Sequence, residues 1–496
     1  MTSPRIVGFA ARWRTLRRDV QSSPRHARAL LLVCLIGIFS TSFPITILTI
    51  SVKPIADELH SLPTTITWVS TAPVLAGAVA TPVLGRLGDL RGHRRLYLVG
   101  MAIAVLFSIL TAVAWNASTL IAFRTLSQLG AAATVPATFA MVFRCFPREE
   151  RVRASALASA TLAGAAVIGV VIGGPLVDAF GWRPIFLIQA SIALLALLPA
   201  LVLLPPDVTR DEDTIDYAGA AALAVTTFTF TFGVNRLGVS GPRPWVLATL
   251  LLSPVALLVL VRVERRATSP ILPVELLRLP EVRAVAAGSF ILGAGWMGSF
   301  LITPLLLQSV MGLSAGATSL VSVPRAGFVA LSSPVASHLG MRHGERKLVR
   351  WASIGVALSF ILLAAGASAQ STLLVTAALA AGGWAFGHVQ PGLITSIGNA
   401  VEERHFGTAT SLQQTANQIG AVVGMGLFTS LAADATRPGP FVLAYLFAAV
   451  CAVGCAVVSR WLGDEPMAFV PAATVSDDGT EPVIPGQLVR TPQVRA

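Results

Sequence analysis

Charge is what this chain lacks most. Only 12% of its 496 residues are Asp, Glu, Lys or Arg, while 54% are apolar. A soluble chain carries about 25% charged residues, so water is not the main solvent here. Carboxylates are the scarcer sign, 24 against 36 Lys and Arg. Cysteine is scarce as well. Cys34, Cys145, Cys451 and Cys455 show no ligand spacing with histidines, and three of them lie in apolar runs as small hydrophobes. Neither a disulfide framework nor a metal site follows. No nucleotide-binding loop and no nucleophile constellation occurs, which argues against an enzyme and against a cofactor. The net charge of +12 does not point to nucleic acid: the basic residues come in short bursts between apolar runs, as in loops facing a cytoplasm and anionic lipid.

What is present is apolar length. Crossing the hydrocarbon core takes about 20 apolar residues. Such runs fall near 29–52, 66–86, 96–114, 119–143, 154–178, 184–204, 217–236, 244–263, 285–308, 315–338, 349–367, 373–397, 408–432 and 440–461. The expected architecture is therefore all-α and integral to the membrane, with fourteen spans. The first run is too long for a secretory h-region and is read as a retained helix. With both termini inside, 29 Lys and Arg fall on the inner face and 5 on the outer face, leaving only Arg124 and Arg325 within spans. That bias fixes the expected orientation and favours an even helix count. The loop before the seventh run is acidic (Asp207, Asp211, Glu212, Asp213, Asp216), and the tail beyond Asp464, rich in Pro, Thr and Asp, is expected to be disordered.

No Asp or Glu lies inside a span; Asp178 and Asp434 sit at outer ends, Asp216 and Glu281 at inner ends. Intramembrane polar groups are costly and usually functional. Arg325 falls near the middle of the tenth run without an evident acidic partner, so backbone carbonyls, cavity water or a bound anion must offset its charge. His388 is the one span residue with a near-neutral unperturbed pKa; it can carry a proton or serve as a hydrogen-bonded structural group. Gln390 lies beside it. Gln413, Gln414, Asn417 and Gln418 form pairs one turn apart, suited to helix–helix hydrogen bonds or to a cavity wall. Trp296 can stack an aromatic substrate or simply pack.

Several motifs carry more. Between the second and third runs the chain reads Gly85-Arg86-Leu87-Gly88-Asp89-Leu90-Arg91-Gly92-His93-Arg94-Arg95, an expected inner turn of two to six residues with a carboxylate at a helix end. The fourth run carries Arg124, Ser127, Gln128 and Gly130, and the fifth carries Gly169, Val170, Gly173, Gly174 and Pro175. Gly181-Trp182-Arg183-Pro-Ile-Phe186 follows. Together these resemble the signature loop, the helix 4 pattern, the antiporter motif and the outer turn of the major facilitator superfamily, over roughly residues 29–461. The chain is most similar to the fourteen-helix drug:proton antiporters. Leu90 and His93 depart from the signature loop, Ser127 and Gln128 from the helix 4 pattern, Val170 from the antiporter motif. Pro44 stands where the first helix of that subgroup commonly holds an acid.

The resemblance implies two pseudo-symmetric six-helix bundles plus two inserted helices. The corresponding expected divisions are a basic tail 1–28, a first bundle 29–204, an inserted pair with its loops 205–284, a second bundle 285–461 and a tail 462–496. It implies gating by Gly85, Asp89, Gly92, Arg94 and Arg95 and close packing at Gly169, Gly173 and Gly174; the polar and aromatic span residues Arg124, Gln128, Trp296, Arg325, His388, Gln390 and Gln414 are the substrate or coupling candidates. A weak echo of the signature loop follows the tenth run at Gly340, Arg342, Gly344, Arg346 and Lys347. The implied activity is proton-coupled export of hydrophobic or amphipathic small molecules across a bacterial inner membrane, the partners being lipid, substrate and protons. The two span arginines and the missing span acids motivate one alternative, transport of an anionic or lipid-like substrate without standard proton antiport; a non-transporting receptor or scaffold is the alternative from another class. The sequence does not set an oligomeric state.

Overall fold

The computed structural model describes residues 26–134, 137–138, 141, 148–207, 217–241, 243–267, 274–401, 406–432, 435–463, 468–469 and 488–489. Fourteen long helices are present among them: α1 (His26–Glu58), α2 (Trp68–Arg91), α3 (His93–Ala112), α4 (Ala117–Ala131), α5 (Arg148–Phe180), α6 (Arg183–Leu203), α7 (Tyr217–Ser240), α8 (Pro244–Glu264), α9 (Pro280–Leu305), α10 (Ala315–His343), α11 (Glu345–Ser368), α12 (Thr372–Ala400), α13 (Phe406–Ala432) and α14 (Pro438–Val458). Each coincides with one apolar run. Eight of them pass the test of membrane-spanning length and composition outright.

Most helices outrun their apolar stretch, because the backbone continues into the headgroup region where hydropathy gives no signal. α4 is the exception. The run suggested 119–143, but the regular helix ends at Ala131; Ala132 and Ala133 form a turn, after which Thr134, Ala137, Thr138 and Met141 are helical again. In the tail expected to be disordered, Ala468–Phe469 pairs antiparallel with Leu488–Val489.

Helix neighbours follow a repeat. In the first six helices α1 packs on α5 and α6, α3 on α4 and α6, and α2 on α4. The last six repeat this: α9 packs on α13 and α14, α11 on α12 and α14, and α10 on α12. The halves meet chiefly through two matching pairs, α5 with α10 and α2 with α13, and α1 also touches α9 and α10. α7 and α8 pack on each other, and α7 also lies against α2 and α13. α9 and α1 are the most enclosed spans, with 78% and 67% of their apolar windows buried, whereas α8 buries only 22%. Leu251, Leu258 and Val255 stand among its exposed residues, as befits a lipid-facing helix.

Glycines set the closest approaches. A Cβ at Gly169 or Gly173 would meet Phe43, Thr46 or Ile47 of α1. The second half repeats this contact: a Cβ at Gly420 or Gly424 of α13 would run into the Phe290 and Ala294 carbonyls of α9. Small residues four apart permit such backbone contact.

The turn joining α2 to α3 is tighter than the expected two to six residues. It is Gly92 alone, with φ 99° and ψ 131°. A single left-handed residue reverses the chain here, which an L side chain resists. Gly344 does the same between α10 and α11 at φ 80°. Both glycines donate their N–H to the carbonyl four residues back, from Gly88 and Gly340, at 2.9 Å. The residue two positions on reaches the end of its half's last helix in both cases: Arg94 Nη2 donates to the Leu201 carbonyl at 2.8 Å, and Arg346 Nε to the Leu462 carbonyl at 2.8 Å.

Gly92 is also the N-cap of α3 and has no side chain to offer. Asp207 supplies the cap from 113 residues away: its Oδ1 accepts from Arg94 N at 2.8 Å and its Oδ2 from Arg95 N at 3.2 Å. Carboxylates are favoured at such amide-rich ends. Gly92→Ala would therefore strain the backbone and drive a methyl into Asp207. It is expected to cost about 1–3 kcal/mol, read as a lower melting temperature in detergent, whereas Gly77→Ala, with nothing within 4 Å of the added carbon, should not lower it. Asp207→Ala should cost about 0.5–2 kcal/mol by the same measurement.

Candidate functional site

The basic-poor face carries the seam between halves. Asp178, near the end of α5, accepts hydrogen bonds from Ala315 N at 3.2 Å (Oδ1) and Gly316 N at 2.7 Å (Oδ2), the first amides of α10. These amides have no partner within their own helix, and Ser314 caps a third by accepting from Ala317 N. One turn deeper, Ser319 Oγ donates to the Val170 carbonyl and accepts from Gly174 N. A Cβ at Gly174 would strike the Ala315 carbonyl and Ser319, and one at Gly316 would come within 2.7 Å of the Asp178 carboxylate. Gln308 closes the other side, donating from Nε2 to the Ile50 carbonyl at 2.9 Å and accepting from Lys53 Nζ through its main-chain carbonyl at 3.1 Å. These hydrogen bonds tie α1 and α5 to the start of α10 and the segment after α9.

Arg325 of α10 lies ten residues from the helix start, about 15 Å along its axis. It is 4% exposed. Its guanidinium carbon sits 3.8 Å above the Trp296 ring centroid and 4.9 Å from that of Phe300. Trp296 in turn stacks with Phe386, centroids 3.8 Å apart and planes 7° from parallel. Nη2 donates to the Trp296 carbonyl at 2.9 Å and to Ser299 Oγ at 3.2 Å. Nε is buried and has no acceptor. Carbonyl contacts and cation–π attraction thus offset part of the charge, and no carboxylate is among its partners. The small cavity beside it has walls from both halves: Thr49, Ile50 and Val170 on one side, and Thr303, Ser322 and Arg325 among those on the other.

The remaining candidates are dispersed. Arg124 is 1% exposed and does not snorkel; it turns into the first bundle, with Nη1 3.5 Å from Gln189 Oε1 and its guanidinium 5.9 Å from the Phe186 ring centroid. Gln128 leaves a buried Oε1 without a donor. His388 spends Nδ1 on the carbonyl of Trp384 in its own helix, at 2.8 Å. Gln413 Nε2 lies 3.1 Å from Ser289 Oγ and 3.5 Å from Gln390 Oε1, and Asn417 Nδ2 donates to the Ser289 carbonyl at 3.2 Å. That part of the polar stripe glues α13 to α9, whereas Gln414 is exposed. Of the signature loop, Gly92, Arg94 and Arg95 are placed as above; the backbone at Gly85 and Asp89 is helical, and their side chains lie outside the described residues. So do Cys145, Asp211, Glu212, Asp213, Asp216 and Asp434.

Sequence reading treated Asp178 only as a residue at a span end, and Asp207 only as part of an acidic loop. It passed over Gly420 and Gly424, whose spacing of four was the available signal. Asp178→Ala should loosen the seam. In a cysteine-depleted background carrying Ser322→Cys, a membrane-impermeant maleimide added from the basic-poor side is expected to label the Asp178→Ala protein about tenfold faster.

Family and sequence comparisons agree with this geometry. The family model described as Major Facilitator Superfamily matches residues 34–328 and 285–494. A lincomycin resistance protein of Streptomyces lincolnensis is 29% identical over 462 residues, covering 90% of this chain and 93% of that protein. The multidrug transporter protein MdtP of Bacillus subtilis is 25% identical, covering 80% and 74% respectively. A methylenomycin A resistance protein of Streptomyces coelicolor is 26% identical, covering 82% and 85%. With its repeated six-helix packing and a family match over most of its length, the chain belongs to the Major Facilitator Superfamily.

Proposed function

We propose that the chain is a secondary exporter of hydrophobic and amphipathic small molecules, driven by the proton gradient, in a bacterial inner membrane with both termini in the cytoplasm. The observation that carries this is the polar seam at one face. The polar contacts between halves there cluster around Asp178 and Gln308. Halves joined in that way can part on one face while closing on the other, which is alternating access by rocking. The basic-poor face is assigned to the outside. Relatives named for multidrug transport and antibiotic resistance support the substrate class.

Within this reading the bundles comprise residues 29–204 and 285–461, with 205–284 inserted as in the fourteen-helix drug antiporters. Asp89 and its loop gate the inner face. Gln128, Gln390 and Gln414 offer neutral polar groups to a substrate, and Arg124, Trp296, Arg325 and His388 are the substrate or coupling groups.

Reconstitution tests each part. In liposomes holding the protein with its basic-rich face outward, uptake of an amphipathic dye should accelerate when the lumen is acidified. Equal uptake with and without the gradient would discard proton coupling but keep export. Asp89→Asn should abolish uptake while leaving the melting temperature in place; normal uptake by that variant counts against the gate.

A further inference from the structure

We propose that Arg325 is the docking point for a carboxylate, so that this transporter accepts organic anions with an aromatic or apolar body. The proposal rests on the export reading and names the substrate class that the site selects. Three observations converge on it.

First, the guanidinium is under-used. It has five N–H donors, yet only Nη2 meets acceptors, the Trp296 carbonyl and Ser299 Oγ. Nε and Nη1 donate to no acceptor among the described residues. A buried cation in this condition is costly, and an anion on its free edge would relieve the cost. Second, the charge faces the seam between the halves. The adjoining cavity is walled by α1 and α5 of one half and by α9, α10 and α12 of the other, so parting the halves would uncover it. In the closed arrangement it has room for about one water molecule, and a substrate enters only when the seam parts. Third, the surroundings suit an amphiphile. Thr49, Thr303 and Ser322 supply hydroxyls, Phe300, Ile50 and Leu379 supply apolar wall, and no carboxylate lines the cavity. A cationic substrate would meet like charge in a medium of low dielectric, where repulsion is strongest.

The test uses three naphthalene probes of equal size: 1-naphthylacetate, its neutral amide, and 1-naphthylethylamine as the cation. Binding to the full-length protein in detergent and flux in liposomes are measured for each. The wild type is expected to prefer the acid over the amine about tenfold, and Arg325→Gln to lose acid binding about tenfold while holding the neutral amide within about twofold. Arg325→Lys, which keeps the charge without the fork, should retain acid binding in part. Equal loss of acid and amide in a folded Arg325→Gln protein would overturn the proposal, as would a wild type that prefers the amine. If Arg325→Gln fails to fold, the Lys variant and the wild-type preference decide alone. Arg325-dependent binding of the acid without flux would keep this site and discard export. Flux of the amide or amine without binding of the acid would keep export and discard this site.

Discussion

A helix end cannot be left unpaired inside a membrane protein, and the union of the two halves follows from that constraint. The opening amides of α10 need acceptors, and the first half provides them through Asp178. Because the partner belongs to the other bundle, satisfying a helix terminus and closing one face become the same event. The glycines of α5 then have a second purpose. Gly174 lets Ser319 approach the α5 backbone, while Gly169 and Gly173 seat that helix against α1. One stretch of sequence thereby holds its own bundle together and presents a flat surface to the other.

Internal duplication repeats the mechanics without repeating the charges. Gly92 and Gly344 make the same turn, and Arg94 and Arg346 make the same tie to the end of a terminal helix. The α1–α5 and α9–α13 pairs rely on the same glycine spacing. What differs is the polar cargo of the second half: the stripe of Gln413 and Asn417 against Ser289, and the Arg325–Trp296–Phe386 stack. Common features maintain the fold, and the asymmetric ones are where substrate selectivity can reside.

The fourteen helices were legible because hydrocarbon thickness imposes a length and because basic residues favour one face. Their ends were less so, since the helical backbone persists where side chains turn polar, and since α4 breaks at Ala132 and Ala133 within an apolar run. Arg325 announced itself as a charge within a span. Its setting did not, because Trp296 and Phe386 come from two other helices. The caps were the least legible feature: Asp207 serves an amide 113 residues away and Asp178 one 137 away. No local pattern marks such a pairing, although the bare glycine at the start of α3 shows that some outside group is required.

A joint of one residue is short enough to be stiff. With Gly92 alone between them, α2 and α3 have no loop of slack, and Gly344 imposes the same bond on α10 and α11. Each couple therefore works as a lever arm. Since α2 touches α13 and α10 touches α5 across the midline, displacement at the seam is handed by α10 to α11 and by α2 to α3, deep into the body of each bundle.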